Sequence, residues 1–298
     1  MNTSISKDPN EINVDDSCQT GELHVVATPI GNLADISHRA LEVLGRVDCI
    51  LAEDTRHSKR LLNHYGISTS LKSCHEHNES NLIAWVTKQL DTGNDLALIS
   101  DAGTPLISDP GFVLVRALRE QGYRVLTVPG ASSIIAALSI AGLPTDSFIY
   151  DGFLNAKSAA RRAQYAQYRH QTRTVVLLES SHRIVASIND LIAELGTQRT
   201  VVVARELTKR FETVLSGTAQ EVADLFSADD DQTRGEFVLM IAGAPEKPES
   251  EAAVEDLLQI LLTEVSVKKA AAMAAKISGW RKNDIYDLAL KVKSMMQE

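Results

Sequence analysis

The sequence predicts an α/β protein with two α/β domains, the first on a mostly parallel sheet and the second on a mixed sheet, followed by a helical appendage. Between Leu23 and Ile241, short apolar runs alternate with segments whose apolar residues recur every three to four positions. This is the pattern of parallel strands connected by helices. Glu212–Val214 followed by Ser216-Gly217 indicates a short antiparallel element, which favours a mixed sheet in the second half.

The first α/β domain is assigned to residues 22–145. Its run Leu96–Ile99 is apolar at every position, as expected of a strand buried on both faces. Ser108 or Asp109 is expected to cap the helix that begins at Phe112, with Pro110 in its first turn. The predicted strands are Leu23–Ala27, Cys49–Ala52, Leu96–Ile99 and Arg124–Thr127, and the predicted helices are Ile36–Leu44, Ser58–His64, Asn81–Leu90, Phe112–Gln121 and Ser132–Ile140.

The second domain, residues 146–244, begins after the turn-forming stretch Gly142–Asp146. Its predicted strands are Thr174–Leu178, Thr200–Ala204, Phe211–Leu215 and Glu236–Ile241, and its predicted helices are Ala159–His170, His182–Leu195 and Ala219–Phe226. Residues 245–298 form a charged, proline-containing linker and a small helical region. The turn Ser278–Trp280 between its last two helices resembles a helix-turn-helix, although a small appendage that packs on the body or on a partner chain explains it equally well.

Composition excludes several classes of protein. No apolar run approaches the roughly 20 residues that span a bilayer. The polar, acidic lead-in over residues 1–21 is unlike a signal peptide, so we expect it to be disordered and the protein to be cytoplasmic. Three scattered cysteines predict neither a disulfide framework nor a metal site. The net charge of −9 argues against nucleic-acid binding through bulk charge, but residues 157–183 carry six lysines and arginines against one acid.

Three predicted strands end in loops that contain proline and glycine. These are TPIGN at 28–32, SDAGTPLISDPG at 100–111 and VPGASS at 128–133. Loops at the carboxyl ends of parallel strands are where open α/β sheets hold ligands, so the three are expected to line one crevice. None contains a G-x-G-x-x-G or Walker A sequence, which argues against a dinucleotide or a nucleoside triphosphate.

Together with AEDTR at 52–56 and ARELTK at 204–209, these motifs resemble the tetrapyrrole-methylase-like superfamily of S-adenosylmethionine (SAM) enzymes. Within it they are similar to the branch that 2′-O-methylates a cytidine in the decoding region of small-subunit ribosomal RNA. The resemblance covers about residues 23–243. It implies a homodimeric enzyme that acts on the RNA of the small ribosomal subunit and binds SAM between its two domains. The cofactor contacts that it implies are Pro29, Ile30, Asp101, Ala102, Gly103, Thr104, Ser132, Ser133, Leu178 and Ala204.

The acceptor side of the site is less sharply defined. A ribose hydroxyl attacks readily only when its proton leaves, so a general base is expected beside it. The candidates are Glu53, Asp54, Glu179 and Lys209. Glu206, in the ARELTK motif, is a further candidate. Contacts to the phosphates of the RNA are expected from Arg56, His57, Lys157, Arg161, Arg162, Arg183 and Arg205. For each of these residues a surface or interdomain ion pair is the alternative.

Two other functions fit the same motifs. One is a methylase of this fold that acts on a tetrapyrrole macrocycle, and the other is a non-catalytic ribosome assembly factor. Tyr150 and Phe153 are candidates for stacking on a flipped-out base, although core packing is the commoner role of such residues.

Overall fold

The computed structural model describes residues 20–245, 251–278 and 280–296, so the predicted lead-in lies outside the described residues except for Thr20 and Gly21. The chain divides into two compact units, one that ends at Gly243 and one that begins at Ala244. The first unit holds two five-stranded sheets, and the second holds helices. The predicted fold class is therefore confirmed.

The first sheet is parallel throughout, in the order β3-β2-β4-β1-β5. The central strand β4 is buried at all four positions, as its apolar sequence predicted. The edge strand β3 was missed because its residues Ser70–Ser73 are polar and partly exposed, so no apolar run marks it. The strands are β1 Leu23–Val26, β2 Cys49–Ala52, β3 Ser70–Ser73, β4 Leu96–Ile99 and β5 Val125–Val128, and the helices are α1 His38–Arg46, α2 Thr55–His64, α3 Glu79–Asp91, α4 Phe112–Glu120 and α5 Ser133–Ala141.

The start of α4 differs from the prediction. Neither Ser108 nor Asp109 caps the helix; the residue before it is Gly111, with φ at 118°, in the left-handed region that favours glycine. The N–H of Gly111 donates to the buried carboxylate of Glu79, at the beginning of α3, over 2.8 Å. No side-chain cap bonds the first turn of α4; the Glu79 side chain, 32 residues away, instead holds the residue that precedes the helix, and Asp109 is left available to the site.

The second sheet is mixed, in the order β6-β7-β10-β8-β9. Its β6 and β7 are parallel, whereas the other pairs are antiparallel. The edge strand β6 was not predicted, and β9 begins two residues later than predicted, at Thr213. The strands are β6 Phe148–Phe153, β7 Thr174–Ser180, β8 Thr200–Arg205, β9 Thr213–Thr218 and β10 Glu236–Ile241, and the helices are α6 Ser158–Ala166, α7 Ile184–Leu195 and α8 Ala219–Ala228.

A shared apolar cluster holds the two sheets of the first unit together. Helices α6, α7 and α8 cover one face of the second sheet. On the other face, α5 places Ile134, Ala137 and Leu138 against β7, β8 and β10. Ile30, in the loop after β1, and Leu207, in the loop after β8, belong to the same cluster. The cluster thus brings the strand-end loops of both sheets to one place.

The second unit consists of three helices, α9 Glu251–Glu264, α10 Val267–Ser278 and α11 Lys282–Met295. They bury a core of their own, which includes Leu258, Ala274 and Ile285. Within the described parts of the chain, no helix is long and apolar enough to cross a membrane.

Candidate active site

The loops after β1, β4 and β5 are joined by hydrogen bonds. The backbones of Thr28 and Gly103 exchange two hydrogen bonds, of 2.9 and 3.0 Å, across the neighbouring strands β1 and β4. The hydroxyl of Thr104 donates to the carbonyl of Ala131, in the loop after β5, at 3.2 Å. Gly103 has φ at 82°, a conformation that a residue with a side chain rarely adopts. The three loops therefore form one connected surface.

The loop after β2 joins this surface through Asp101. One carboxylate oxygen of Asp101 accepts a hydrogen bond from the N–H of Asp54 at 3.1 Å. Asp54 in turn caps α2, since its side chain accepts from the N–H groups of Arg56 and His57. The hydrogen bond from the Arg56 N–H is the main reason that the pKa of Asp54 lies below its usual value. Asp54 is therefore an ionised helix cap.

One cavity, of about 470 Å³, opens between the two sheets. We call it the acidic cavity. Its side chains are apolar, hydroxyl-bearing or carboxylic, and within the described part of the chain no lysine, arginine or histidine lines it. Its carboxylate-bearing residues are Glu53, Asp101, Asp109, Glu179 and Glu236, and its apolar residues include Ile30, Leu178, Ala204, Leu207 and Val238.

The carboxyl groups of the acidic cavity are close enough to affect one another. Burial raises the pKa of Glu53 above its usual value, and the charges of Asp109 and Asp101 raise it further. Burial also raises the pKa of Asp109, with Asp101 adding to the effect and a hydrogen bond from Ser100 opposing it. Glu179 and Glu236 pair with Arg183 and Lys209, but Glu53, Asp101 and Asp109 form no salt bridge within the described residues, so a cation or a proton is favoured beside them.

A second cavity, of about 500 Å³, lies on the other side of Asp101. We call it the α2 cavity, because one face of that helix lines it, at the spacing i, i+3, i+4 and i+7. The α2 residues on that face are His57, Arg60, Leu61 and His64. The two cavities share a wall made of Ile30, Asp101, Ala102 and Glu236.

The four candidate bases have different environments. Glu53 lines the acidic cavity, whereas Asp54 serves as the helix cap. The Glu179 side chain is fully buried, accepts hydrogen bonds from Ser180 and Ser187, and pairs with Arg183. The Nζ atom of Lys209 forms salt bridges with Oε1 of Glu206 at 2.9 Å and with Oε2 of Glu236 at 3.0 Å.

Lys209 is a weak candidate for a base. Its burial acts to lower its pKa, but Glu206 and Glu236 outweigh that effect and raise the pKa above its usual value. Its ammonium group therefore keeps its proton. The carboxyl group of Glu206 correspondingly has a lowered pKa, because the bonds from Lys209 and the Glu236 backbone overcome the effect of its burial.

The predicted cofactor contacts divide into lining and supporting residues. Gly103, Thr104 and Ser132 line neither cavity, and the first two instead shape the loop after β4. Pro29 lines the α2 cavity but not the acidic cavity. The predicted cofactor contacts that line the acidic cavity are Ile30, Asp101, Ala102, Ser133, Leu178 and Ala204.

Much of the basic run at 157–183 pairs with acids of the fold, so the run has fewer unpaired charges than its sequence indicated, and its role as a surface for RNA stays a prediction. Arg161 has only 4% of its side chain exposed and pairs with Asp190 at 2.6 Å. Arg162 and Arg169 both pair with Glu194. These acids lie on α7, beyond the end of the run, so a local count of charges could not reveal them.

The remaining predicted phosphate contacts are scattered. Buried Arg205 donates to the carbonyls of Arg234 and Phe211, and Arg183 pairs with Glu179, so both have internal partners. Lys157 precedes α6, and exposed Arg56 points away from both cavities toward Asp54. Of the seven predicted phosphate contacts, His57 is the one that lines either cavity, and it lines the α2 cavity.

Sequence reasoning missed several residues of the site. Asp109 was interpreted as a helix cap, and Arg60 and His64 as ordinary positions of α2, yet their spacing from His57 was a helical signal. Phe153 is 56% exposed and lines the acidic cavity, so the favoured core role was wrong for it. In the described ranges, no three potential metal ligands come together.

Comparison with known proteins places this site in a family. Residues 22–223 match the family model described as tetrapyrrole (corrin/porphyrin) methylases, and residues 248–293 match the model described as the RsmI C-terminal HTH domain. Solved structures of uroporphyrin-III-C-methyltransferase from Thermus thermophilus and of diphthine synthase share the fold. Their TM-scores are 0.53 and 0.56, at 21% and 14% identity; each covers 74% of this chain, and the matches span 94% and 90% of theirs.

Curated relatives are much more similar in sequence. The ribosomal RNA small subunit methyltransferase I of Pseudomonas aeruginosa is 52% identical, over 91% of this chain and 97% of its own. That of Escherichia coli O157:H7 is 47% identical, over 91% of this chain and 95% of its own. This is a family of SAM-dependent methyltransferases. From its fold, its motifs and these identities, the chain belongs to the ribosomal RNA small subunit methyltransferase I family.

Proposed function

We propose that the protein transfers a methyl group from SAM to the 2′-oxygen of a cytidine ribose in the decoding region of small-subunit ribosomal RNA. The observation that carries the proposal is the pair of cavities on either side of Asp101. One is acidic, and the other is lined by basic residues of α2. A cationic methyl donor and an anionic RNA strand would therefore be sorted by charge, and they would meet at the shared wall.

The acidic cavity fits SAM in size and in charge. Its volume of about 470 Å³ is within the range of small-molecule sites, roughly 300–1,000 Å³. SAM adds a sulfonium charge to an otherwise neutral amino-acid and nucleoside framework. The carboxylates of Glu53, Asp101 and Asp109, which form no salt bridge within the described residues, favour such a ligand, while Leu178, Ala204 and Leu207 offer an apolar surface to adenine.

The sulfonium supplies an activated methyl group, so the protein mainly has to position the acceptor and remove its proton. A bond forms between the ribose oxygen and the methyl carbon as the carbon–sulfur bond breaks, and S-adenosylhomocysteine leaves. The hydroxyl proton must pass to a base. We assign that role to Glu53, because it lines the donor's cavity and its raised pKa makes it a better acceptor of a proton than an ordinary carboxylate.

The test uses small ribosomal subunits from cells that lack this protein. Purified protein and methyl-labelled SAM are added, and the label is mapped by nuclease digestion and mass spectrometry. We expect label on a ribose 2′-oxygen of a decoding-region cytidine, and its loss in Asp101→Ala. Label on a tetrapyrrole macrocycle instead, or SAM binding without methylation of any RNA, would refute the proposal.

A binding experiment tests the acidic cavity separately. S-adenosylhomocysteine lacks the sulfonium charge, so Glu53→Gln should weaken SAM binding by about tenfold and S-adenosylhomocysteine binding much less. Asp224→Asn, which removes an exposed acid on α8, is the control and should change neither affinity. Equal losses for both ligands would show that charge is not what the cavity recognises.

The proposal includes a homodimer, which the resemblance to the family implies, and a cytoplasmic location, which suits an enzyme that acts on ribosomal RNA. Analytical ultracentrifugation of the full chain at micromolar concentration measures the oligomeric state. A monomer throughout that range would remove this part of the proposal.

A further inference from the structure

The α2 cavity carries a cationic group of α2 at its edge, apart from the acids Asp101 and Glu236 of the shared wall. Arg60 is exposed at its edge, and among the described residues no carboxylate pairs with it. His57 and His64 lie one turn to either side of Arg60 on the same face of α2. The neighbouring Lys209, in contrast, already holds Glu206 and Glu236. Arg60 is therefore the cation that the fold leaves available to a ligand in this cavity.

A buried hydroxyl in the same cavity has no partner within the protein. Ser58 is 2% exposed and lines the α2 cavity, and its Oγ makes no hydrogen bond to any described residue. A buried hydroxyl without a partner costs about 1–3 kcal/mol, so such groups usually have a ligand or a functional role. Ser58 and Arg60 thus give the cavity one neutral donor inside and one cationic donor at its edge.

The shared wall fixes what this ligand must be. Ile30, Asp101, Ala102 and Glu236 border both cavities, so a group bound in the α2 cavity lies next to the donor in the acidic cavity. An anion at that place, in an enzyme whose acceptor is RNA, is a phosphodiester of the acceptor strand. Guanidinium groups bind phosphate oxygens with two parallel hydrogen bonds, which fixes orientation as well as affinity.

We propose that the α2 cavity binds a phosphodiester adjoining the target ribose, with Arg60 as the phosphate-binding cation and Ser58 as a buried hydrogen-bond donor to the same nucleotide. This inference rests on the proposed function and adds the acceptor subsite to it. His57 and His64 flank the phosphate, and α2 aligns the strand with the shared wall. The site recognises a backbone and a sugar, so it places the acceptor without reading its base.

The test compares Arg60→Ala with Lys59→Ala. Lys59 is the preceding residue on α2 and is equally exposed, but it does not line the cavity, so its removal controls for the loss of one positive charge. The assay measures the KM for small subunits from cells that lack the protein, at several concentrations of KCl. We expect Arg60→Ala to raise the KM by about tenfold. It should also reduce the slope of log affinity against log salt by about 0.7, the value for one contact to a single strand.

Ser58→Ala provides an independent readout. Since the hydroxyl has no partner in the free protein, its removal should leave the Tm unchanged or raise it, while the KM for subunits rises several-fold. A lower Tm with an unchanged KM would show a purely structural role and overturn that part of the inference.

The outcomes separate this inference from the proposed function. If wild-type protein methylates the subunits but Arg60→Ala and Lys59→Ala have the same KM and salt slope, the inference is wrong and the function stands. If Arg60→Ala weakens SAM binding in a calorimeter, the α2 cavity holds the donor, and the inference is again wrong. If wild-type protein labels no RNA in the subunits, both fall together.

Discussion

Replacement of Glu79 should loosen the loop that carries Asp101 and Asp109. The Glu79 carboxylate is 6% exposed and accepts a hydrogen bond from the Gly111 N–H at 2.8 Å, at the point where this loop turns into α4. Glu79→Ala removes the acceptor and leaves a buried N–H unpaired, which costs about 1–3 kcal/mol. The middle of that range is about 2 kcal/mol.

That magnitude is measurable as a change in thermal stability. For a unit of this size, 1 kcal/mol corresponds to about 2–4 °C in Tm, so Glu79→Ala should lower the Tm by about 4–8 °C. Glu79→Gln keeps an oxygen acceptor and should lose about half as much. Differential scanning calorimetry of the full chain gives the Tm, and calorimetric titration with SAM gives the affinity, which should fall with the order of the loop.

The control is Glu76→Ala, an exposed acid shortly before α3, which should change the free energy of unfolding by less than about 0.5 kcal/mol. If the Glu79→Ala and Glu76→Ala proteins melt within 1 °C of each other, or about the error of the method, the carboxylate does not hold the loop. A large loss of stability with unchanged SAM affinity would show that the hydrogen bond between Glu79 and Gly111 does not affect the cofactor site.

Three further predictions follow from the site and its supports. Because burial and two neighbouring aspartates raise the pKa of Glu53, kcat should fall as the pH drops through that raised pKa, and Glu53→Gln should abolish this acid limb in a pH–rate profile. A limb that persists in the variant belongs to another group. Asp190→Ala leaves the buried guanidinium of Arg161 unpaired and should cost about 3–5 kcal/mol in urea denaturation; a cost under about 1 kcal/mol would mean that water replaces the pair. Gly111→Ala sets a Cβ 2.8 Å from the Leu98 side chain at a φ of 118° and should cost about 1–3 kcal/mol by the same measurement, with no change expected if the loop relaxes freely.

The parts of the fold that could be predicted are those whose signal is local. Strand β4 is buried on both faces and reads as four consecutive apolar residues, whereas the edge strands β3 and β6 do not. Three of the four residues of β3 are polar, and Asp151 and Gly152 interrupt the apolar residues of β6, so neither strand has the continuous apolar run of a buried strand. The mixed second sheet was predicted correctly, but Ser216-Gly217, on which that prediction rested, lies within β9, which pairs antiparallel with β8.

The candidate site was predictable only as a set of loops. The motifs gave the strand ends and so brought Asp101, Ser133 and Ala204 to one region, but the partners of each charge came from elsewhere in the chain. Arg161 looked available to RNA because Asp190 lies 29 residues away, on the next helix. A sequence records the charge of a side chain and not the charges that it will face.

By itself, then, the sequence determined the α/β architecture, the loops at the carboxyl ends of the strands and the family, since these depend on hydrophobic periodicity and on short contiguous motifs. Only the tertiary structure decided that Glu79 bonds the residue before α4, that Arg161, Arg162 and Arg169 pair with acids of α7, and that the acidic cavity and the α2 cavity meet at Asp101. The physical reason is range. The period of apolar residues is a property of neighbours in sequence. The partners of a charge or of a backbone N–H are determined by proximity in space, and here the packing of α5 against the second sheet establishes that proximity.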